Sequence, residues 1–185
     1  MKKIAVFCSA NETINPLFFE ATQELGAFIA KNNFALVYGG CSMGLMECIA
    51  KAVKENGGFT IGVIPSKIEE CGEISDCVDE QVMVNNLSER KDVMIEKSDI
   101  ILALPGGIGT LDEIFTVAAG ATIGYHEKPI ILYNINGCWD KLIELMEQLQ
   151  TGNFIRGNYR KYFTVVNDSE EMKKVLIDML QPKLF

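Results

Sequence analysis

Short apolar runs and longer helical repeats alternate along this chain. Residues 4–8 form a continuous apolar run of strand length. Between Pro16 and Lys31 the apolar positions Leu17, Phe18, Ala21, Leu25, Phe28 and Ile29 fall at helical spacing, with Asn15 placed to cap and Pro16 in the first turn. Residues 34–38 predict a second strand that ends in Gly39-Gly40-Cys41-Ser42-Met43-Gly44, and residues 45–55 continue as a helix. A third strand, 59–64, is closed by Pro65, and the polar stretch 66–80 reads as a loop over one edge of the sheet. Helix 86–97, strand 100–104, helix 111–119, strand 129–133, helix 139–150 and strand 163–166 follow. Helix 168–180 closes the series and opens with Asp168-x-x-Glu171, the spacing of a capping box.

Strands that are apolar throughout belong in a parallel sheet covered on both faces by helices. The expected fold class is therefore α/β, a Rossmann-like three-layer α/β/α arrangement with a parallel sheet, forming a single domain over residues 1–185. Ligands of such sheets sit at the carboxyl ends of the strands. Three turns fall there: the one holding Ser9, the one holding Gly39, Gly40 and Gly44, and the loop Gly106-Gly107-Ile108-Gly109-Thr110.

That third loop joins an apolar strand to a helix. Glycines let the backbone approach an anion closely, and the N–H groups of a first helical turn point at it with the positive end of the helix dipole behind them. The alternative is a tight turn that needs glycine for its backbone angles alone. The loop lacks the Gly-Lys-Ser/Thr of a Walker A sequence and does not match the Gly-x-Gly-x-x-Gly dinucleotide fingerprint.

Charge and cysteines narrow the functions. A net charge of −8 argues against a nucleic-acid surface, and no apolar run approaches the length that crosses a bilayer. Met1-Lys2-Lys3 followed by a short apolar run fits a first strand better than an export signal, so the six cysteines are expected as reduced thiols in a cytoplasm. With no Cys-x-x-Cys pair and a single histidine, His126, no metal site and no cofactor are expected. Met43, Met46, Met83 and Met94 are read as core or pocket wall, and His126 as structural.

The string Pro105-Gly106-Gly107-x-Gly109-Thr110-x-x-Glu113 resembles the PGGxGTxxE signature of the LONELY GUY (LOG) family, the cytokinin-activating phosphoribohydrolases, whose bacterial members carry an older lysine decarboxylase label. Tyr38-Gly39-Gly40 through Gly44-Leu45-Met46 is similar to the family's YGGG-x-x-GLM turn, and Glu89-Arg90-Lys91-x-x-Met94 is similar to its E/Q-R-K-x-x-M helix. Departures occur at Cys41 and Glu47, where the family carries glycines, and at Ala119-Gly120-Ala121-Thr122, where its T-W-A-Q stretch is expected near the site.

The resemblance implies hydrolysis of the N-glycosidic bond of a nucleoside 5′-monophosphate, of the AMP or cytokinin riboside type, to free base and ribose 5-phosphate. It also implies a homodimer or an assembly of dimers, with the site near the subunit contact. It makes Glu113 and Arg90 catalytic. Lys91 assists binding, and Gly106, Gly107, Ile108, Gly109 and Thr110 hold the phosphate. By topology alone Ser9, Gly39, Gly40 and Gly44 line the same end of the sheet, and by resemblance Glu73 touches sugar or base, with a plain loop carboxylate as its rival reading. Each role has a structural rival: Thr110-x-x-Glu113 has capping-box spacing, and Arg90 and Lys91 stand among Glu89 and Asp92 as a solvated charged face would. The alternative function is a non-catalytic nucleotide- or cofactor-binding carrier of the same fold, as molybdenum-cofactor carriers are. The decarboxylase label would require a lysine to form a Schiff base with pyridoxal phosphate, and no segment suggests one.

Overall fold

In the computed structural model, which describes residues 1–71 and 73–180, seven strands form one sheet in which every neighbouring pair is parallel. The strands are β1 (Lys3–Phe7), β2 (Ala35–Tyr38), β3 (Phe59–Pro65), β4 (Glu80–Val84), β5 (Ile100–Ala103), β6 (Ile130–Tyr133) and β7 (Phe163–Val166). The helices are α1 (Pro16–Lys31), α2 (Gly44–Glu55), α3 (Ser66–Cys71), α4 (Leu87–Lys97), α5 (Ile108–Thr122), α6 (Asp140–Thr151) and α7 (Ser169–Leu180). The strand order is β4-β3-β2-β1-β5-β6-β7, so the chain winds outward in both directions from β1 and β5. The crevice between the carboxyl ends of those two strands is the switch point where such sheets bind ligands.

One apolar layer packs Leu25 and Ile29 of α1, Leu45 and Ile49 of α2 and Leu176 of α7 on one face of the sheet. A second layer packs Met94 of α4, Ile114 and Val117 of α5 and Met146 of α6 on the other. This is the three-layer Rossmann-like arrangement expected from the strand pattern. The expected caps form as well. Asn15 Oδ1 accepts from Leu17 N at 3.0 Å, and Asp168 Oδ1 accepts from Glu171 N at 2.9 Å.

The stretch 66–80 is not a plain loop. It contains the short helix α3, and β4 begins at its last residue. β4 is an edge strand with alternating exposure, carrying Glu80 and Gln81, so it lacks the continuous apolar run that marks the central strands. The same alternation leaves Met83 44% exposed, neither core nor pocket wall, whereas Met94 is buried.

Candidate active site

Each end of the site is set by local backbone chemistry. α5 begins three residues before the expected position, at Ile108, with Gly107 as its N-cap. No side chain caps this end, so the N–H groups of Ile108, Gly109 and Thr110 have no intrahelical acceptor; the ladder starts with Leu111 N donating to Gly107 O at 3.0 Å. Gly106 lies under Thr110: a Cβ there would stand 2.1 Å from the threonine Oγ1. Gly107 and Gly109 have open space where a side chain would be. One glycine of the loop therefore serves packing and two leave room in front of the helix end.

The early start of α5 also removes the capping-box reading of Glu113. Thr110 is already inside the helix, and the Glu113 carboxylate reaches α4, where its Oε1 accepts from Arg90 Nη2 at 2.6 Å. Both side chains are nearly buried, 9% and 14% exposed. α4 is fixed at its own start by a capping box, with Asn86 Oδ1 accepting from Ser88 N and Glu89 N, and Glu89 Oε2 accepting from Asn85 N. Glu89 thus serves as a cap, and Arg90, on the next position, is turned inward to α5. Lys91 Nζ donates to both carboxylate oxygens of Asp112, at 2.8 and 2.7 Å, and is not among the residues that line the cavity.

The Arg90–Glu113 pair closes one side of a cavity of about 280 Å³ at the switch point, lined also by Cys8, Ser9, Gly39, Met46, Gly107, Gly109 and Thr110. Gly39 is required there by contact: a Cβ would approach Met46 Sδ at 3.0 Å and Arg90 Nη1 at 3.3 Å. Burial pushes the Glu113 carboxyl up to about 7, the Arg90 cation opposing this without cancelling it. Burial, followed by the charge of Glu113, holds the Cys8 thiol well above its ordinary range, so it stays protonated. Arg90 Nε is buried with no hydrogen-bond partner among the described residues.

The other expected residues sit around this cavity rather than in it. Gly40 (φ +71°) packs on Ile64, and Gly44 (φ +56°) packs on Ala10, where a Cβ would meet the carbonyl carbon at 2.5 Å. The Glu73 carbonyl accepts from Ser42 N and Oγ, fastening residues 73–75 over the 39–44 turn. Ile108 projects its side chain outward, 88% exposed. Residues 119–122 form the last turn of α5, about 9–14 Å along the axis from Glu113, and border a different groove. Cys8 was not expected in the site; its position just past the end of β1 is the signal that could have found it.

Fold and cavity together define the class: a Rossmann-like α/β protein whose ligand cavity joins the free donors of a helix N-terminus to a buried acid–arginine pair. The chain belongs to the LONELY GUY (LOG) family. Residues 46–176 match the family described as "Possible lysine decarboxylase". The chain is 35% identical over 177 residues to the cytokinin riboside 5′-monophosphate phosphoribohydrolase LOG1 of Arabidopsis thaliana, covering 96% of this chain and 83% of that one. It is 33% identical over 175 residues to LOG5 of the same plant, covering 95% and 77%. Among solved structures, the molybdenum cofactor binding protein of Rippkaea orientalis superposes with a TM-score of 0.73 at 25% identity, covering 97% of this chain and 98% of that one.

Proposed function

We propose that this protein is a nucleoside 5′-monophosphate phosphoribohydrolase, a one-domain enzyme that adds water across the N-glycosidic bond to give free base and ribose 5-phosphate. The observation that carries the reading is the Arg90–Glu113 pair set beside the uncapped start of α5. A phosphate on the amides of Ile108, Gly109 and Thr110 would bring the attached ribose over the second turn of α5, where Glu113 stands. Breaking the bond from C1′ to the base nitrogen builds positive charge on the sugar ring, and the electron pair leaves with the base. The ionised Glu113 stabilises that charge and takes a proton from the attacking water; that proton passes on to the departing base nitrogen, while the water's oxygen and second proton stay on C1′. Arg90 holds the carboxylate in place and has donors left for the ligand. Lys91 assists from outside the cavity by tying α4 to α5 through Asp112. Ser9 and Gly39 form the wall, while Gly40, Gly44 and Glu73 shape the turn behind it.

A carrier reading is favoured by the molybdenum-cofactor-binding neighbour, but a buried acid held near neutral pKa in the cavity suits turnover better than storage. A decarboxylase acting through pyridoxal phosphate does not fit, because no lysine lines the cavity. In keeping with the family, the substrate is of the AMP or cytokinin riboside monophosphate type, and the enzyme is a homodimer or an assembly of dimers. The six cysteines, all free, suit a cytoplasm, and none of the described helices is long and apolar enough to cross a membrane.

Chromatography of AMP, isopentenyladenosine monophosphate, CMP, UMP, GMP and IMP after incubation with the protein tests this reading. It predicts release of free base from at least one, with the matching unphosphorylated nucleoside turned over far more slowly. Survival of all six would refute hydrolysis.

A further inference from the structure

We infer that this site also hydrolyses nucleoside 5′-monophosphates whose base is joined to C1′ through a positively charged ring system, and cleaves them faster than their neutral counterparts. A pyridinium and an N7-alkylated purine are two chemical forms of such a base. The inference rests on the hydrolase reading above and names a substrate class within it.

Cleaving an N-glycosidic bond makes two demands besides the water: the ribose ring must bear positive charge, and the base must leave with the electron pair of the bond. A neutral base needs a proton to accept that pair at low cost, and glycoside-cleaving sites usually supply it from a second carboxyl group. Among the described residues lining this cavity, three carry an ionisable side chain: Cys8, Arg90 and Glu113. Arg90 does not give up a proton. The buried Cys8 thiol, raised further by the charge of Glu113, is too weak an acid to protonate a ring nitrogen. None of Glu73, Lys91 and His126 lines the cavity. Glu113 is therefore its single proton carrier, and for a neutral base it must both accept the water's proton and deliver it.

A base that is already cationic removes the second task. The electron pair of the broken bond neutralises the ring, so the base leaves without taking up a proton. The water's oxygen and one proton stay on C1′, the other proton goes to the ionised Glu113, and Glu113 returns it to solvent. One nucleotide and one water thus give free base, ribose 5-phosphate and one proton. The positive ring meets no uncompensated cation in the cavity, because Arg90 is paired to Glu113 at 2.6 Å.

The cavity also does little to select a neutral base over a charged one. Its volume of about 280 Å³ is below the roughly 300–1,000 Å³ of pockets that enclose a whole ligand, so with phosphate and ribose inside, the base stands at the mouth. No side-chain amide is present among the described lining residues to read a base edge. Thr110 belongs to the phosphate end, in the first turn of α5, and Ser9 Oγ accepts from Asn11 N at 3.0 Å. Discrimination among nucleotides that share one ribose phosphate then follows how readily the base departs.

Two matched pairs of nucleotides, incubated with the full chain and followed by chromatography of the released base, test the inference. They are nicotinamide mononucleotide against AMP, and 7-methylguanosine 5′-monophosphate against GMP. The second pair differs by one methyl group and one charge, which separates charge from ring size. After correction for spontaneous hydrolysis, the cationic member of each pair is expected to show a kcat/KM at least about tenfold higher, and Glu113→Gln should lower the rate for both members. A smaller gain in either pair overturns the inference, while base release from AMP or GMP leaves the hydrolase reading standing. If all four nucleotides survive, the inference and the hydrolase reading fall together.

Discussion

At the scale of single residues, Glu113 concentrates the strain of the site. Its carboxyl titrates near 7 in the folded protein against an ordinary value of 4.5. The folded state therefore binds the extra proton between those values, and the stability this adds is present below pH 4.5 and lost as pH rises through 7. Glu113→Gln has no charge to bury, so its stability relative to the wild type should grow across this window. Above pH 7 the gain should level off on the order of 2–3 kcal/mol, read by thermal or denaturant unfolding. The same change should lower kcat by roughly 100- to 10,000-fold. A stability difference between variant and wild type that does not change between pH 4.5 and 8, or a retained rate, would contradict the role given to this side chain. For the wild type, kcat/KM should rise with pH and level off above about 7, because the ionised form is the one that acts.

The glycines separate into two kinds that the sequence alone does not distinguish. At Gly44 the backbone is left-handed and a methyl group would press on Ala10, so Gly44→Ala should cost at least about 2 kcal/mol in denaturant unfolding. At Gly109 a methyl group meets nothing and the residue is helical. Gly109→Ala should leave stability within about 0.5 kcal/mol while raising the KM for a nucleoside monophosphate about tenfold, by narrowing the approach to the helix amides. Equal effects of the two substitutions on stability would overturn this division.

At the scale of elements, the central strands could be read directly, because a strand buried on both faces is apolar without interruption. The edge strand β4 could not, since Gln81 and Met83 face water and break the apolar run. The start of α5 was hidden for a different reason. Thr110-x-x-Glu113 has the spacing of an N-terminal box, yet the true cap is Gly107, whose weak preference leaves little mark on a sequence. The opposite happened at α4, where Glu89 looks like one charge of a surface pair and acts as the cap that orients Arg90. Removing that cap should therefore affect chemistry at a distance. Asn86→Ala should cost about 1 kcal/mol in unfolding and lower kcat several-fold, by loosening the turn that carries Arg90. An unchanged kcat would mean that Arg90 is held by its partner alone.

At the scale of the whole molecule, the strand order places the cavity where the two halves of the sheet diverge, and the α4–α5 pair links it to an apolar outer face. The grooves themselves were not legible in the sequence. Whether a side chain such as Lys91 points into a cavity or onto a neighbouring helix depends on the crossing of α4 and α5, which no local pattern fixes. If that crossing is braced by a second copy, specific activity should fall as the protein is diluted below the concentration at which it pairs. Activity strictly proportional to concentration through dissociation would show that one copy suffices.

The central claim concerns where a phosphate sits relative to one acid, and a crystal structure of Glu113→Gln grown with AMP or ribose 5-phosphate measures that directly. The account predicts the phosphate oxygens at hydrogen-bonding distance, about 2.7–3.2 Å, from the amides of Ile108, Gly109 and Thr110, with residue 113 facing C1′. A phosphate bound elsewhere, or a sugar whose anomeric carbon lies beyond the reach of that side chain, would contradict it.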